Sequence, residues 1–100
     1  MLVPASNREI LARLLRNLRG IYLHFNQLPQ ALSATSRILA LFPGNPAEWR
    51  ERGQLHLKLE CFRAALTDLQ SYIALAPEAE DAEMTRAHIV DLQRACARLN

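Results

Sequence analysis

Glycine occurs only three times in this chain, and cysteine only twice. So little glycine beside abundant Ala and Leu favours helix over sheet, because both are strong helix formers. The two cysteines, Cys61 and Cys96, form no C-x-x-C motif and no disulfide framework, so they read as small apolar fillers. Long hydrophobic runs are missing as well. The longest uncharged run, Gly20 to Ser36, is broken by His24, Asn26, Gln27, Pro29 and Gln30. A membrane-spanning helix needs about 20 mostly apolar residues. Met1 to Ala5 meets Arg8 and Glu9 too soon to form a signal-peptide core. The expectation is a cytoplasmic chain with no membrane partner.

What is present fits one domain with a single modest core: 100 residues, half of them hydrophobic. Net charge is +2 but unevenly spread. Residues 1–47 carry five Arg and one Glu, whereas residues 78–91 carry five acids and one Arg. That is a set of solvated helix faces, or a polarised surface that orients a partner.

The chain repeats itself. Shifted by 34 residues, Pro43 falls on Pro77, Leu41 on Leu75, Ile38 on Tyr72, and Ala31 on Ala65, without a gap. Leu32 meets Leu66, Leu28 meets Phe62, Leu23 meets Leu57, Ile21 meets Leu55 and Tyr22 meets His56. Thirty-four is the tetratricopeptide period. The second copy, 46–79, carries Trp49, Gly53 four residues later, Phe62, Ala65, Tyr72 and Pro77 in one register. It resembles a tetratricopeptide repeat, in which the Ala65 position is where the paired helices touch. The first copy, about 12–45, is more degenerate: Leu15 replaces Trp and Arg19 replaces Gly, while Tyr22, Ala31 and Pro43 remain.

Helix signals agree with these limits. Ser6 with Glu9 is a capping box that opens helix 1. Ile10, Leu11, Leu14, Leu15, Leu18, Ile21, Tyr22 and Phe25 follow at helical spacing. Pro29 suits the first turn of helix 2, and Pro43-Gly44 ends it. Asn45 caps helix 3, with Pro46 at its first position. Helix 4 runs through Phe62, Ala65, Leu66, Leu69, Tyr72, Ile73 and Leu75, and Pro77 closes it. A last helix, about 81–99, has the apolar line Ile89, Leu92, Cys96 and Leu99. It reads as a cap, because a terminal repeat needs a polar outer side. The predicted fold is all-α: a tetratricopeptide-type superhelix of two hairpins and a capping helix, five helices in one domain. Leu2, Val3 and the open side of the last helix are the candidates for pairing copies.

A narrower likeness follows from Arg13-Leu14-Leu15-Arg16-Asn17-Leu18-Arg19-Gly20-Ile21-Tyr22 and Pro46-Ala47-Glu48-Trp49-Arg50-Glu51-Arg52-Gly53. Ala65-Leu66-Thr67-Asp68-Leu69, Tyr72, Leu75-Ala76-Pro77 and Asp81-Ala82-Glu83 complete it. From about Ile10 to Leu99 the chain resembles the C-terminal repeat region of the bacterial SirB-type family, which joins a transglutaminase-like domain to tetratricopeptide repeats. The resemblance implies a regulatory protein and an upstream transglutaminase-like partner domain, and it carries over no catalytic residue.

Chemistry-bearing residues are sparse. A thiol enzyme needs a nucleophilic Cys with a His held close. Cys61 lies in a turn whose nearest His, His56, points into the hairpin, and Cys96 sits on an apolar line. His24, His56 and His88 are 32 apart, two short of the repeat, so each is rotated by about 200° and they do not converge on a metal. No catalytic, metal or cofactor site is predicted. Arg13, Arg16 and Arg19 form a basic stripe, but no aromatics interleave with it, which disfavours nucleic acid. Arg52 stands at a normally apolar position and needs a partner if buried. Asp68 on the facing helix is the first candidate and Glu48 the local alternative.

The remaining candidate is the concave face that the tetratricopeptide resemblance implies. Its positions are Arg13, Arg16, Gly20, Leu23 and His24, then Ala47, Arg50, Gln54, Leu57 and Lys58, then Met84, His88 and Asp91. The first two rows are basic, which predicts an acidic peptide or partner domain. The carboxylate clamp of some repeats of this type is disfavoured. Arg16 matches it, but Gly20 and Glu51 replace Asn, and Asp81 stands where a cation belongs.

Overall fold

The computed structural model describes residues 6–99; Leu2 and Val3 lie outside them. Five helices follow in order: α1 Asn7–His24, α2 Leu28–Leu41, α3 Pro46–Lys58, α4 Phe62–Leu75 and α5 Ala82–Arg98. The described residues contain no strand. They divide into two compact units between Pro43 and Gly44.

Helix starts are set by side chains. Ser6 Oγ accepts from the Glu9 amide at 3.1 Å, and Asn45 Oδ1 accepts from the Ala47 amide at 3.1 Å. Proline occupies the first turn of α2 and of α3, where a missing N–H costs no helical bond.

The turns repeat as closely as the sequence does. Asn26 (φ 55°) ends α1 and Glu60 (φ 59°), 34 residues later, ends α3. In each, the next amide reaches back to the helix: Gln27 to the Tyr22 carbonyl and Cys61 to the His56 carbonyl, both 2.8 Å. This is the left-handed helix stop normally given to Gly or Asn.

In the first unit α1 and α2 form a hairpin in which Ala12 and Ala31 are fully buried and Leu15 nearly so. Thr35 is a buried polar residue with its needs met. Its hydroxyl donates to the Ala31 carbonyl (2.9 Å) and accepts from Arg19 Nη1 (3.3 Å). Of the apolar line on α1, only Leu15 is buried; Ile10, Leu11, Leu14, Leu18, Ile21 and Phe25 are exposed. Helical spacing fixes which residues share a face, not that the face is covered.

In the second unit α4 packs on both α3 and α5. Ala65, Leu69 and Leu92 form its core, flanked by Leu57, Phe62, Leu66 and Ile89. Gly53 makes the α3–α4 approach possible: a Cβ there would lie 2.9 Å from Leu69 Cδ2. On α5, Leu92 and Cys96 are buried, but Leu99 is 65 % exposed, so the apolar line stops one turn early. Cys61 is exposed in its turn instead of filling the core.

Candidate functional site

The second unit contains a cleft between α3 and α5. Arg50, Gln54 and Leu57 lie on one face of α3, at spacings of four and three. Met84, Thr85 and His88 lie on the facing side of α5, and Leu69 of α4 forms the floor. The cavity measures about 220 Å³. Its walls are aliphatic at Leu57, Leu69 and Met84, while Arg50, Gln54, Asp81 and His88 supply polar groups. Lys58 is exposed one turn beyond Gln54 on the same helix.

One end of the cleft is built around Asp81. Arg50 Nε donates to its Oδ2 at 2.8 Å, and the buried Tyr72 hydroxyl donates to its Oδ1 at 2.5 Å. The Tyr72 bond, joined by the Arg50 charge, holds the Asp81 carboxyl below the usual carboxylate value against the opposing effect of desolvation. The same bond, with burial and the Asp81 charge, pushes the Tyr72 phenol up. Asp81 precedes α5 without capping it through its side chain; its backbone, φ −94° and ψ 14°, is not the extended form of an N-cap residue. Neither contact was legible from the sequence. The signal available was Tyr72 itself, a packed residue whose hydroxyl needs a partner.

Behind the cleft lies a second charged group. Arg52 Nη2 and Nε donate to Asp68 Oδ1 and Oδ2 at 2.9 and 3.1 Å. His56 Nδ1 lies 2.7 Å from Oδ2. An ionised carboxylate only accepts, so Nδ1 carries the proton. Asp68 is 2 % exposed, and the Arg52 guanidinium lies over Trp49, 5.0 Å from the ring centre. Sequence reasoning paired Arg52 with Asp68 but missed His56, which stands in a Tyr slot of the repeat.

On the first unit, Arg13, Arg16, Leu23 and His24 are exposed on α1. His24 meets Phe25 edge-on at 5.0 Å. A cleft of about 250 Å³ opens elsewhere on that unit, between α1 and α2, lined by Leu11, Leu15, Arg37, Ala40 and Leu41. Arg8 closes off nearby backbone, donating to the Leu41 carbonyl at 3.2 Å and lying over Phe42. Among the described residues no group of three or more His, Cys, Asp or Glu is placed to hold a metal ion. Among them, too, no helix is long and apolar enough to cross a membrane.

The profile of the tetratricopeptide repeat family matches residues 18–89. Among proteins of similar sequence, a UPF0162 protein of Xylella fastidiosa is 40 % identical over 92 residues, 92 % of this chain and 33 % of that protein. Protein SirB1 of Salmonella typhimurium is 36 % identical over 85 residues, 85 % of this chain and 32 % of its own length. The UPF0162 protein YchA of Escherichia coli is 35 % identical over the same length, again 32 % of its own. The chain therefore spans about one third of the relatives it matches.

Proposed function

The chain belongs to the tetratricopeptide repeat family, and from that premise we propose that it is a non-catalytic interaction module holding an extended peptide in the α3–α5 cleft. The observation that carries this is the convergence of Arg50, Gln54, Leu57 and His88 on one cavity with an aliphatic floor. Small clefts of this composition take one apolar side chain and orient it with a few polar groups. Gln54 is placed to meet a peptide backbone, and Leu57, Leu69 and Met84 to receive an aliphatic or aromatic anchor. Lys58 and His88 favour acidic residues beside that anchor, whereas Arg50 is already partnered by Asp81. A role without chemistry also suits the sulfur and imidazole groups. Cys61 Sγ is engaged with the Leu59 carbonyl at 3.7 Å, and His56 Nδ1 with Asp68.

Selection of displayed random peptides on the intact chain tests the proposal. The expected consensus is one large apolar residue flanked by Asp or Glu, lost when Leu57→Glu and Lys58→Glu are combined. Failure to enrich any sequence, or a consensus indifferent to those substitutions, would overturn it.

A second reading is favoured by the length of the relatives, about three times the matched span. In it, the repeat is the accessory part of a longer regulatory protein, and its partner is the transglutaminase-like domain that the family resemblance implies. Co-purification of the separately expressed domain with this chain would distinguish the two.

A further inference from the structure

Helix α1 carries a surface that the cleft does not explain. Ile10, Leu14, Leu18, Ile21 and Phe25 follow at spacings of four, four, three and four, and are 38–66 % exposed. At about 100° per residue they share one narrow stripe, and at about 1.5 Å per residue it runs some 22 Å. Large apolar side chains scattered singly need no explanation, but an unbroken row does. The repeat supplies its own comparison. Thirty-four residues on, the equivalents of Leu14 and Ile21 are Glu48 and Leu55, which are 2 % and 3 % exposed. Two positions that are exposed on α1 are thus buried on α3.

The geometry points to α1 as the docking site of a partner protein's amphipathic helix, one with an apolar ridge and acidic residues along both rims. A straight ridge spaced by threes and fours matches the ridge of another helix. The adjoining Leu11–Leu15–Leu41 cleft, about 250 Å³, has room for a projecting side chain of that helix. Both borders of the stripe are basic, with Arg13 on one side and Arg37 at the cleft on the other. Acidic rims complement them. A second copy meeting it through its own α1 would instead set Arg against Arg, since α1 holds four Arg and one Glu. An anionic membrane would meet the same charges, but a lipid surface has no use for a cleft shaped to take a knob, and the stripe covers only about 100° of the helix.

The test uses the intact chain and two synthetic 18-residue helical peptides with the same leucine ridge, one with Glu on both rims and one with Lys. The Glu peptide is expected to bind at least tenfold more tightly by fluorescence anisotropy. Leu14→Gln with Ile21→Gln should abolish that binding while leaving the far-ultraviolet spectrum unchanged, because both side chains are exposed. Arg13→Glu with Arg37→Glu should reverse the preference. Equal binding of both peptides would overturn the proposal, as would binding insensitive to the Gln pair. So would a dimer by sedimentation that the Gln pair dissolves, or binding of phosphatidylserine vesicles in place of the Glu peptide.

Discussion

Arg52 holds Asp68 through two hydrogen bonds, 2.9 and 3.1 Å long, across the α3–α4 interface, and the carboxylate is 2 % exposed. The first hairpin shows what the fold does without this pair. In register, Leu18 stands at Arg52, Ala34 at Asp68 and Tyr22 at His56. An ion pair in one hairpin thus has two apolar residues at the matching positions of the other, Leu18 exposed and Ala34 buried. Removing one partner of a buried pair strands the other, whereas replacing both can be neutral. Arg52→Leu and Asp68→Ala should each destabilise, by about 3 kcal/mol for the first and somewhat less for the second. The difference arises because Arg52 keeps 22 % exposure and can turn to water, whereas Asp68 stays buried with only His56 beside it. The double variant should recover part of the loss, since it still leaves His56 without its Asp68 partner. Urea melts of the four-member cycle measure this; additive losses would show that the two side chains act independently.

Glu60 adopts φ 59° at the end of α3, and Asn26 adopts φ 55° at the matching stop of α1. A left-handed conformation costs an ordinary L-residue about 1–2 kcal/mol, and Gly or Asn much less. Glu60→Gly should therefore stabilise the chain by about 0.5–1 kcal/mol after the greater freedom of unfolded glycine is counted. Asn26→Gly should change little. Thermal melts of the two variants, side by side, check the contrast.

The caps and hairpins were legible because they depend on local chemistry: Pro29 and Asn45 at helix starts, and Ala31 with Ala65 and Pro43 with Pro77 repeated at 34 residues. The apolar stripe on α1 was legible as a face but not as an exposed one, since Leu14 and Ile21 look the same whether or not a neighbour exists. Asp81 was read only as a misfit in a clamp. Its two contacts, to Arg50 31 residues earlier and to Tyr72 nine earlier, depend on where the α4–α5 turn is carried, which no spacing rule specifies.

Tyr72 and Asp81 make that turn sensitive to pH at both extremes. The Asp81 carboxyl is held below its ordinary value of 3.8, so its contribution is present above that value and lost as pH falls through the lower folded one. The Tyr72 phenol is raised above 10.0, so its contribution is present below 10.0 and lost as pH rises through the folded value. Tyr72→Phe should cost about 1–2 kcal/mol at neutral pH, the range for a hydrogen bond to a charged group discounted for the partial exposure of Asp81. The difference from wild type should shrink toward both ends of the scale. Denaturant melts from acid to strong alkali follow it, and a loss that stays constant with pH would mean that packing, not the bond, is what Tyr72 supplies.

Gly20 and Gly53 both lie inside helices, yet their surroundings differ. A Cβ on Gly20 would meet nothing within 4 Å, so Gly20→Ala should gain about 1 kcal/mol of helix propensity. A Cβ on Gly53 would fall 2.9 and 3.1 Å from Leu69 Cδ2 and Cγ and 3.4 Å from Asp68 Cβ. The same propensity gain is then set against overpacking of about 1–3 kcal/mol, for a net loss of about 1 kcal/mol. The first hairpin holds the opposite arrangement, a long Arg19 over a small Thr35 in the places of Gly53 and Leu69. Shortening the facing side chain should therefore relieve the clash. Leu69→Thr alone should destabilise by loss of burial, but Gly53→Ala should cost nothing further in that background, because the threonine hydroxyl can turn back to the Ala65 carbonyl as Thr35 does to Ala31. Unfolding free energies of the two single variants and the double would show this as a favourable coupling of about 1 kcal/mol. Strict additivity would locate the cost of Gly53→Ala in the backbone instead of at the Leu69 contact.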